Sequence, residues 1–121
     1  MKYQADITGW GTDSMEFLNP DCNFIIIFNN NAPAELADIS IIHTISELKE
    51  DPAPGDSFRI CNKEFKVTAV GWEALNTLRD LGHCTVWFNG KTEVDRPGMI
   101  ELAGEPMKQE DFFVGGKIEI E

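Results

Sequence analysis

Turn-forming residues interrupt this sequence about every ten residues, a spacing typical of β sandwiches and barrels. The longest apolar run, residues 24–28, has the length of a strand and not the 18 or more residues of a membrane span. Alternating or compact apolar segments predict strands at 2–8, 22–28, 39–45, 57–61, 64–70, 85–88, 92–94, 99–102 and 117–120. We therefore expect a mainly β fold, a small barrel or sandwich of about eight strands.

Two dipeptides predict β-hairpins. Asn62-Lys63 separates segments 57–61 and 64–70, and Asn89-Gly90 separates 85–88 and 92–94. Asn-Gly is a favoured two-residue loop because both positions tolerate a positive φ. We expect each pair of segments to form adjacent antiparallel strands.

One segment, at about 73–81, has helical and not β periodicity. Gly82 follows it, and glycine is common just after the last residue of a helix. The apolar side chains predicted on one stripe are Ala74, Leu75, Leu78 and Leu81. The segment therefore predicts one short amphipathic helix that packs over an end or face of the β structure.

Length and composition limit the functions open to the chain. Its 121 residues suit a single domain, 1–121. A formal net charge of -11 disfavours binding to nucleic acid or to an anionic membrane surface, because both need clustered Lys and Arg. Cys22, Cys61 and Cys84 form no paired motif, and the N-terminus lacks an apolar signal stretch. We expect a cytoplasmic protein with reduced thiols and no direct membrane insertion.

The chain has two histidines, and each has a structural and a functional interpretation. Alternation over 39–45 places His43 on one face with Ile39, Ile41 and Ile45. His43 is then either a hydrogen-bonded core histidine or a nucleophile or ligand in an apolar surface depression. His83 follows Gly82, where a capping or turn residue is the alternative to a functional role.

Other chemical motifs are absent from the sequence. His43, His83 and Cys84 lack the spacing of a zinc module, and no phosphate-binding glycine loop or nucleophile elbow occurs. The acidic residues are scattered, and no carboxylate pair stands out for glycosidase chemistry. The sequence therefore predicts neither a metal site nor a cofactor.

Several segments, in order over about residues 30–105, resemble the glucitol/sorbitol-specific IIA component of the bacterial phosphoenolpyruvate-dependent sugar phosphotransferase system. The matching segments in the first half are 32–36, Ile42-His43, 47–49 and Pro54-Gly55. Those in the second half are 67–71, Asn76, 78–83, Thr85, Phe88, Gly90, Pro97-Gly98 and Ala103-Gly104. The first 20 residues and the acidic C-terminus match little.

The resemblance implies a Greek-key barrel or sandwich and a phosphocarrier function. The histidine that matches His43 would accept a phosphoryl group from the phosphocarrier protein HPr and pass it to a cysteine of the IIB component of the IIB/IIC sugar permease. A neutral imidazole nitrogen is a suitable nucleophile near pH 7. An apolar surround would keep water from the intermediate while partners dock.

The same resemblance suggests three further site residues. His83 would stabilise the phosphoryl group or fix the His43 tautomer, provided that its strand neighbours the His43 strand. Lys49 and Arg79 are candidates to balance the phosphoryl charge. Whether the chain forms a homodimer is left open.

Two other functions remain as alternatives. One is a non-catalytic barrel that binds a small apolar ligand among Phe24, Phe28, Phe58, Phe65 and Trp87. The other is a phospho-signalling protein in which phospho-His43 is the signal and is not passed on.

Overall fold

The computed structural model describes residues 1–121, which form a closed eight-stranded barrel. The strands are β1 (Tyr3–Trp10), β2 (Phe24–Asn29), β3 (Ile41–His43), β4 (Ser57–Ile60), β5 (Lys63–Val70), β6 (Cys84–Trp87), β7 (Met99–Ala103) and β8 (Lys117–Ile120). The helices are α1 (Ala34–Ala37) and α2 (Trp72–Leu81), and a 3-10 turn spans Gln109–Asp111. The predicted mainly β fold with about eight strands and one regular helix is confirmed.

The strand order around the barrel is β1-β3-β2-β6-β7-β5-β4-β8. Most neighbouring pairs are antiparallel, but β2 with β3 and β6 with β7 are parallel. Because β2, β3 and β5 run in one direction and β6 runs in the other, the first three end where β6 begins. Asn29 and His43, the last residues of β2 and β3, therefore lie at the same end of the barrel.

Side chains that alternate along each strand fill the barrel. The predicted β4–β5 hairpin is confirmed, with Phe58 opposite Phe65 and both buried, although its two-residue turn is Cys61-Asn62 and not Asn62-Lys63. Cys61 and Cys84 are buried and Cys22 is half-buried, all as free thiols. The largest fully buried side chains are Tyr3, Phe58, Ile7, Ile25, Ile27, Ile41, Ile60, Leu78, Ile100, Leu102, Ile118 and Ile120.

Helix α2 connects β5 to β6 across the end of the barrel that holds Asn29 and His43. Its Ala74 and Leu78 are fully buried in the main core, as the apolar stripe predicted, whereas Leu81 is 44% exposed. Gly82 ends the helix in the left-handed conformation, with φ at 61°. The N–H groups of Gly82 and His83 donate to the carbonyls of Leu78 and Thr77, which fixes the path of the turn.

The predicted hairpin at Asn89-Gly90 is wrong. Gly90 has the expected positive φ of 65°, but residues 92–94 form no strand and β7 runs parallel to β6. Two parallel neighbours begin at the same end of the sheet, so residues 88–98 must return along the barrel before β7 starts. The Gly90 N–H donates to Leu102 and holds this crossover against β7.

The strand predicted at 39–45 is shorter than its apolar alternation suggests. Only Ile41–His43 pairs in the sheet, and Ile45, two residues later, is 61% exposed. The stripe of Ile39, Ile41, His43 and Ile45 therefore holds for Ile41 and His43, because the chain leaves the sheet after His43.

Neither α-helix has the length and apolar composition of a membrane-spanning segment. The longer of the two α-helices, α2, has 10 residues.

Candidate functional site

His43 lies wholly inside the protein at the end of β3. Its side chain is 0% exposed, between Ile7 of β1 and Asn29 of β2 in the strand register. The Tyr3 ring lies perpendicular to the imidazole at a centroid distance of 6.1 Å. The surface depression expected around His43 is not present, because α2 and the turn after it cover this end of the barrel.

Both ring nitrogens of His43 face backbone carbonyl oxygens. Nδ1 lies 2.8 Å from the Thr44 oxygen, and Nε2 lies 2.8 Å from the Gly82 oxygen. A carbonyl oxygen only accepts, so each contact needs a proton on the ring nitrogen. An imidazolium can satisfy both contacts, whereas a neutral ring can satisfy one.

Burial decides which form the ring takes. Loss of solvation lowers the pKa of His43 below its usual value, and the bonds to Thr44 and Gly82 oppose this shift only in part. The neutral ring is therefore favoured at pH 7. Its unprotonated nitrogen is a nucleophile, but it faces a carbonyl lone pair at one of the two contacts.

We expect the buried imidazole to make the protein less stable in mild acid. Below about pH 6.5 the unfolded chain binds a proton at His43 that the folded chain does not, so the free energy of unfolding falls by about 1.4 kcal/mol per pH unit until the lowered folded pKa is reached. Urea denaturation between pH 8 and pH 5 measures this slope.

The control for this slope is His43→Gln, which cannot titrate. The difference in stability between the two proteins isolates His43 from other groups, including Glu101, whose pKa burial raises. Equal slopes in both proteins would show that His43 has no lowered pKa.

The two carbonyls that contact His43 lie in different parts of the fold. Thr44 is bonded to β1, since its N–H donates to the Asp6 carbonyl and its Oγ1 accepts from the Asp6 N–H, both at 2.9 Å. Gly82 lies in the turn after α2, next to the exposed Leu81, and backbone hydrogen bonds hold that turn to the helix. The Nδ1 contact is therefore made at the end of a strand pair, and the Nε2 contact is made by the turn that covers the ring.

Asn29 completes the surroundings of His43. Its side chain is 5% exposed, and its Oδ1 is buried with no hydrogen-bond partner. A methyl group on Gly82 would lie 1.9 Å from Asn29 Oδ1 and 2.7 Å from His43 Cε1. Both side chains thus pack directly on Gly82, and only a glycine fits there.

His83 does not contact His43 by a hydrogen bond. Its Nδ1 donates to the Ile27 carbonyl at 3.1 Å, and its ring lies 4.7 Å from that of Phe28. The strand that it precedes, β6, pairs with β2 and β7, so β2 separates it from β3. A direct role for His83 was expected only if its strand lay next to the His43 strand, and the two strands are not neighbours. The backbone of His83 does belong to the turn that covers His43.

Lys49 and Arg79 lie on the surface and make no hydrogen bond to His43. Lys49 is exposed in the segment after β3. Arg79 is on α2, where its guanidinium pairs with Asp51 at 2.9 Å. The structure does not bring either cation to the imidazole.

The sequence patterns missed the contacts made by the backbone. Asn29 is not among the site residues predicted from the sequence, but it is the last residue of β2 and the register partner of His43. The contact between Gly82 and His43 depends on long-range topology. The helical pattern followed by Gly82 was the signal that could have placed this turn near the barrel.

The five aromatic residues considered as a ligand chamber do not line one space. Phe58 and Phe65 are buried in the core, whereas Phe24 and Trp87 stack at 4.4 Å on the outer face of the barrel. Phe28 packs against His83. The arrangement does not support an apolar ligand inside the barrel.

Comparisons with known proteins agree with one another. The family model for the PTS system glucitol/sorbitol-specific IIA component matches residues 2–119. The glucitol/sorbitol-specific EIIA components of Escherichia coli K12 and Shigella flexneri are each 38% identical over 102 residues, covering 84% of this chain and 81% of the relative.

A solved structure shares the fold. The crystal structure of a PTS system IIA component from Enterococcus faecalis V583 superimposes with a TM-score of 0.76 at 20% identity, covering 96% of this chain and 97% of that one. The resemblance inferred from the sequence segments is confirmed by the family model and the curated relatives. The chain belongs to the family of glucitol/sorbitol-specific IIA components of the sugar phosphotransferase system.

Proposed function

We propose that this protein carries a phosphoryl group on His43, which it accepts from phospho-HPr and passes to a cysteine of the IIB component of a IIB/IIC hexitol permease. Family membership supports a phosphocarrier role. The observation that carries the choice of residue is the buried imidazole whose two ring nitrogens contact the Thr44 carbonyl and the carbonyl of the covering Gly82 turn, with burial lowering its pKa.

The acceptor atom in this proposal is Nε2. The neutral ring keeps its proton on Nδ1, which donates to the rigid Thr44 carbonyl. When the Gly82 carbonyl moves away, the Nε2 lone pair attacks phosphorus, the new N–P bond forms and the bond to the donor breaks. Transfer to IIB reverses this step: a cysteine thiolate forms an S–P bond, the N–P bond breaks and the neutral ring returns.

The partial negative charge at the C-terminal end of α2 favours movement of the Gly82 turn when the ring is phosphorylated. The carbonyl end of α2 carries partial negative charge, which disfavours an anionic group beside it. A phosphoryl group adds about -1.5 to -2 charge. Phosphorylation therefore displaces the Gly82 carbonyl, and reclosing of the turn favours release of the group to IIB.

The surroundings also suit the donor and acceptor partners. Burial of the unphosphorylated ring keeps water from Nε2 before phospho-HPr docks. The net charge of -11 favours partners with a basic docking face. Nε2, Thr44 and Gly82 come from one chain, so transfer needs no homodimer. Three free thiols suit the reducing cytoplasm, where we place the protein.

The test is intact-mass measurement after incubation with phosphoenolpyruvate, enzyme I and HPr. We expect a gain of one phosphoryl group that is lost in acid and survives alkali, as a phosphohistidine does. No gain, while a known IIA protein in the same tube is labelled, would overturn the proposal.

The phospho-signalling alternative is separated by the second transfer. Purified phosphoprotein is mixed with the cognate IIB domain, and the reaction is quenched as soon as mixing is complete. We expect the phosphoryl group to have moved to a IIB cysteine by then. Retention of the group in the presence of folded IIB would favour a signal over a carrier.

A further inference from the structure

We propose that Asn29 binds the transferred phosphoryl group, with its side-chain amide donating a hydrogen bond to a phosphoryl oxygen once the Gly82 turn opens. The inference rests on the proposed function of His43. It adds a residue from β2 that neither the sequence motifs nor the family resemblance singled out.

The first observation is an unmet hydrogen-bonding need. Asn29 is 5% exposed and its Oδ1 is buried without a partner, a costly arrangement in a folded protein. The pairing of Asn29 with His43 in parallel strands gives both side chains the same inward direction at the barrel end. The amide is thus held beside the ring and directed at the Gly82 turn.

The second observation is that the Gly82 turn covers both the Asn29 side chain and His43 Nε2. Asn29 Oδ1 packs against Gly82, the residue whose carbonyl meets Nε2 at 2.8 Å. Movement of the turn therefore uncovers the nucleophile and the carboxamide together. A half-turn about the last side-chain bond exchanges the amide oxygen and nitrogen, which presents Nδ2–H to the space that the carbonyl leaves.

The third observation is the lack of a cation beside the ring. Thr44 and Gly82 present carbonyl oxygens to the ring, and its neighbour Tyr3 has a buried hydroxyl without a partner. Arg79 is paired with Asp51, and Lys49 is on the surface. A phosphoryl group on Nε2 needs donors for its oxygens, and the Asn29 carboxamide is a buried group that packs with His43 on Gly82.

The test uses Asn29→Ala and Asn29→Asp, with Asn30→Asp as the matched control. Asn30 is the next residue along the chain, and its side chain is exposed. Single-turnover transfer from phospho-HPr is followed by quenched mass measurement. Because hydrogen bonds to charged groups are the stronger ones, we expect Asn29→Ala to transfer about 10- to 100-fold more slowly than the parent protein. Asn29→Asp is expected to be slower still at pH 8, and Asn30→Asp to match the parent.

A pH profile separates phosphoryl binding from a merely structural role. The carboxyl introduced by Asn29→Asp repels the phosphoryl group when ionised but donates a hydrogen bond when protonated. Its rate relative to the parent is therefore expected to rise as the pH falls from 8 to 5.5, whereas that of Asn29→Ala stays constant. A lost packing contact would give no such rise.

The outcomes distinguish the two proposals. If the parent protein gains no phosphoryl group, the function assigned to His43 fails. If the parent is labelled and both Asn29 variants transfer at its rate, the role of Asn29 is overturned and that of His43 stands. Slow transfer by both variants without the rise in acid would also overturn it, because the amide would then act only through packing.

Discussion

Replacing His43 with glutamine is expected to abolish the phosphoryl gain completely while the barrel stays folded. Glutamine has no nucleophilic nitrogen, since its amide lone pair is delocalised. Its side-chain NH₂ can still donate to the Thr44 or Gly82 carbonyl, which alanine would leave unpaired in the core. Intact mass after incubation with enzyme I and phospho-HPr gives the yield, and circular dichroism with urea denaturation reports the fold.

His83→Gln is the comparison variant for this experiment. His83 donates to the Ile27 carbonyl from outside the His43 site, and the glutamine amide can replace that donor. We expect the variant to reach the same one-phosphoryl end point, and its rate reports whether the turn residue affects transfer. A phosphoryl group that persists in His43→Gln but disappears in His83→Gln would move the acceptor to His83.

Local patterns were enough to predict a mainly β fold with about eight strands and one regular helix, because strands and helices are specified mostly by nearby residues. The alternation in Phe58, Ile60 and Phe65 fixes both the hairpin and its inward face. Gly82 after an amphipathic segment fixes where α2 ends. These features depend on residues a few positions apart, for which side-chain period and turn geometry are decisive.

The site could be predicted only in part because its contacts join distant segments. His43 stood out as the polar member of an apolar stripe, and family segments gave it a role. Its partners are backbone carbonyls, one of them 39 residues away at Gly82, and side-chain patterns carry no record of these. The hairpin predicted at Asn89-Gly90 was wrong for the same reason, because strand pairing depends on distant segments. A dipeptide that favours a hairpin turn does not show that β7 pairs with β6 in parallel.

The second large effect is expected from Gly82→Ala. The left-handed backbone at φ 61° costs an alanine about 1–2 kcal/mol. Its methyl group would also lie 1.9 Å from Asn29 Oδ1 and 2.7 Å from His43 Cε1, so the turn must shift. Overpacking of this kind costs about 1–3 kcal/mol more. We therefore expect the free energy of unfolding, measured in urea, to fall by about 2–5 kcal/mol.

Gly115→Ala is the matched control, because Gly115 has a φ of 90° and open space where its methyl group would lie. Its φ lies further from the left-handed helical region than that of Gly82, so its backbone cost is at least as large and it has no clash. A larger loss in Gly82→Ala therefore reports packing on Asn29 and His43.

The displaced turn should also uncover Nε2. We expect acylation of His43 by diethyl pyrocarbonate in folded Gly82→Ala to be at least about 10-fold faster than in the parent. A factor of 10 corresponds to a decrease of about 1.4 kcal/mol in the activation free energy of acylation. Equal stability losses in the two variants, or unchanged acylation of His43, would show that Gly82 does not close the site.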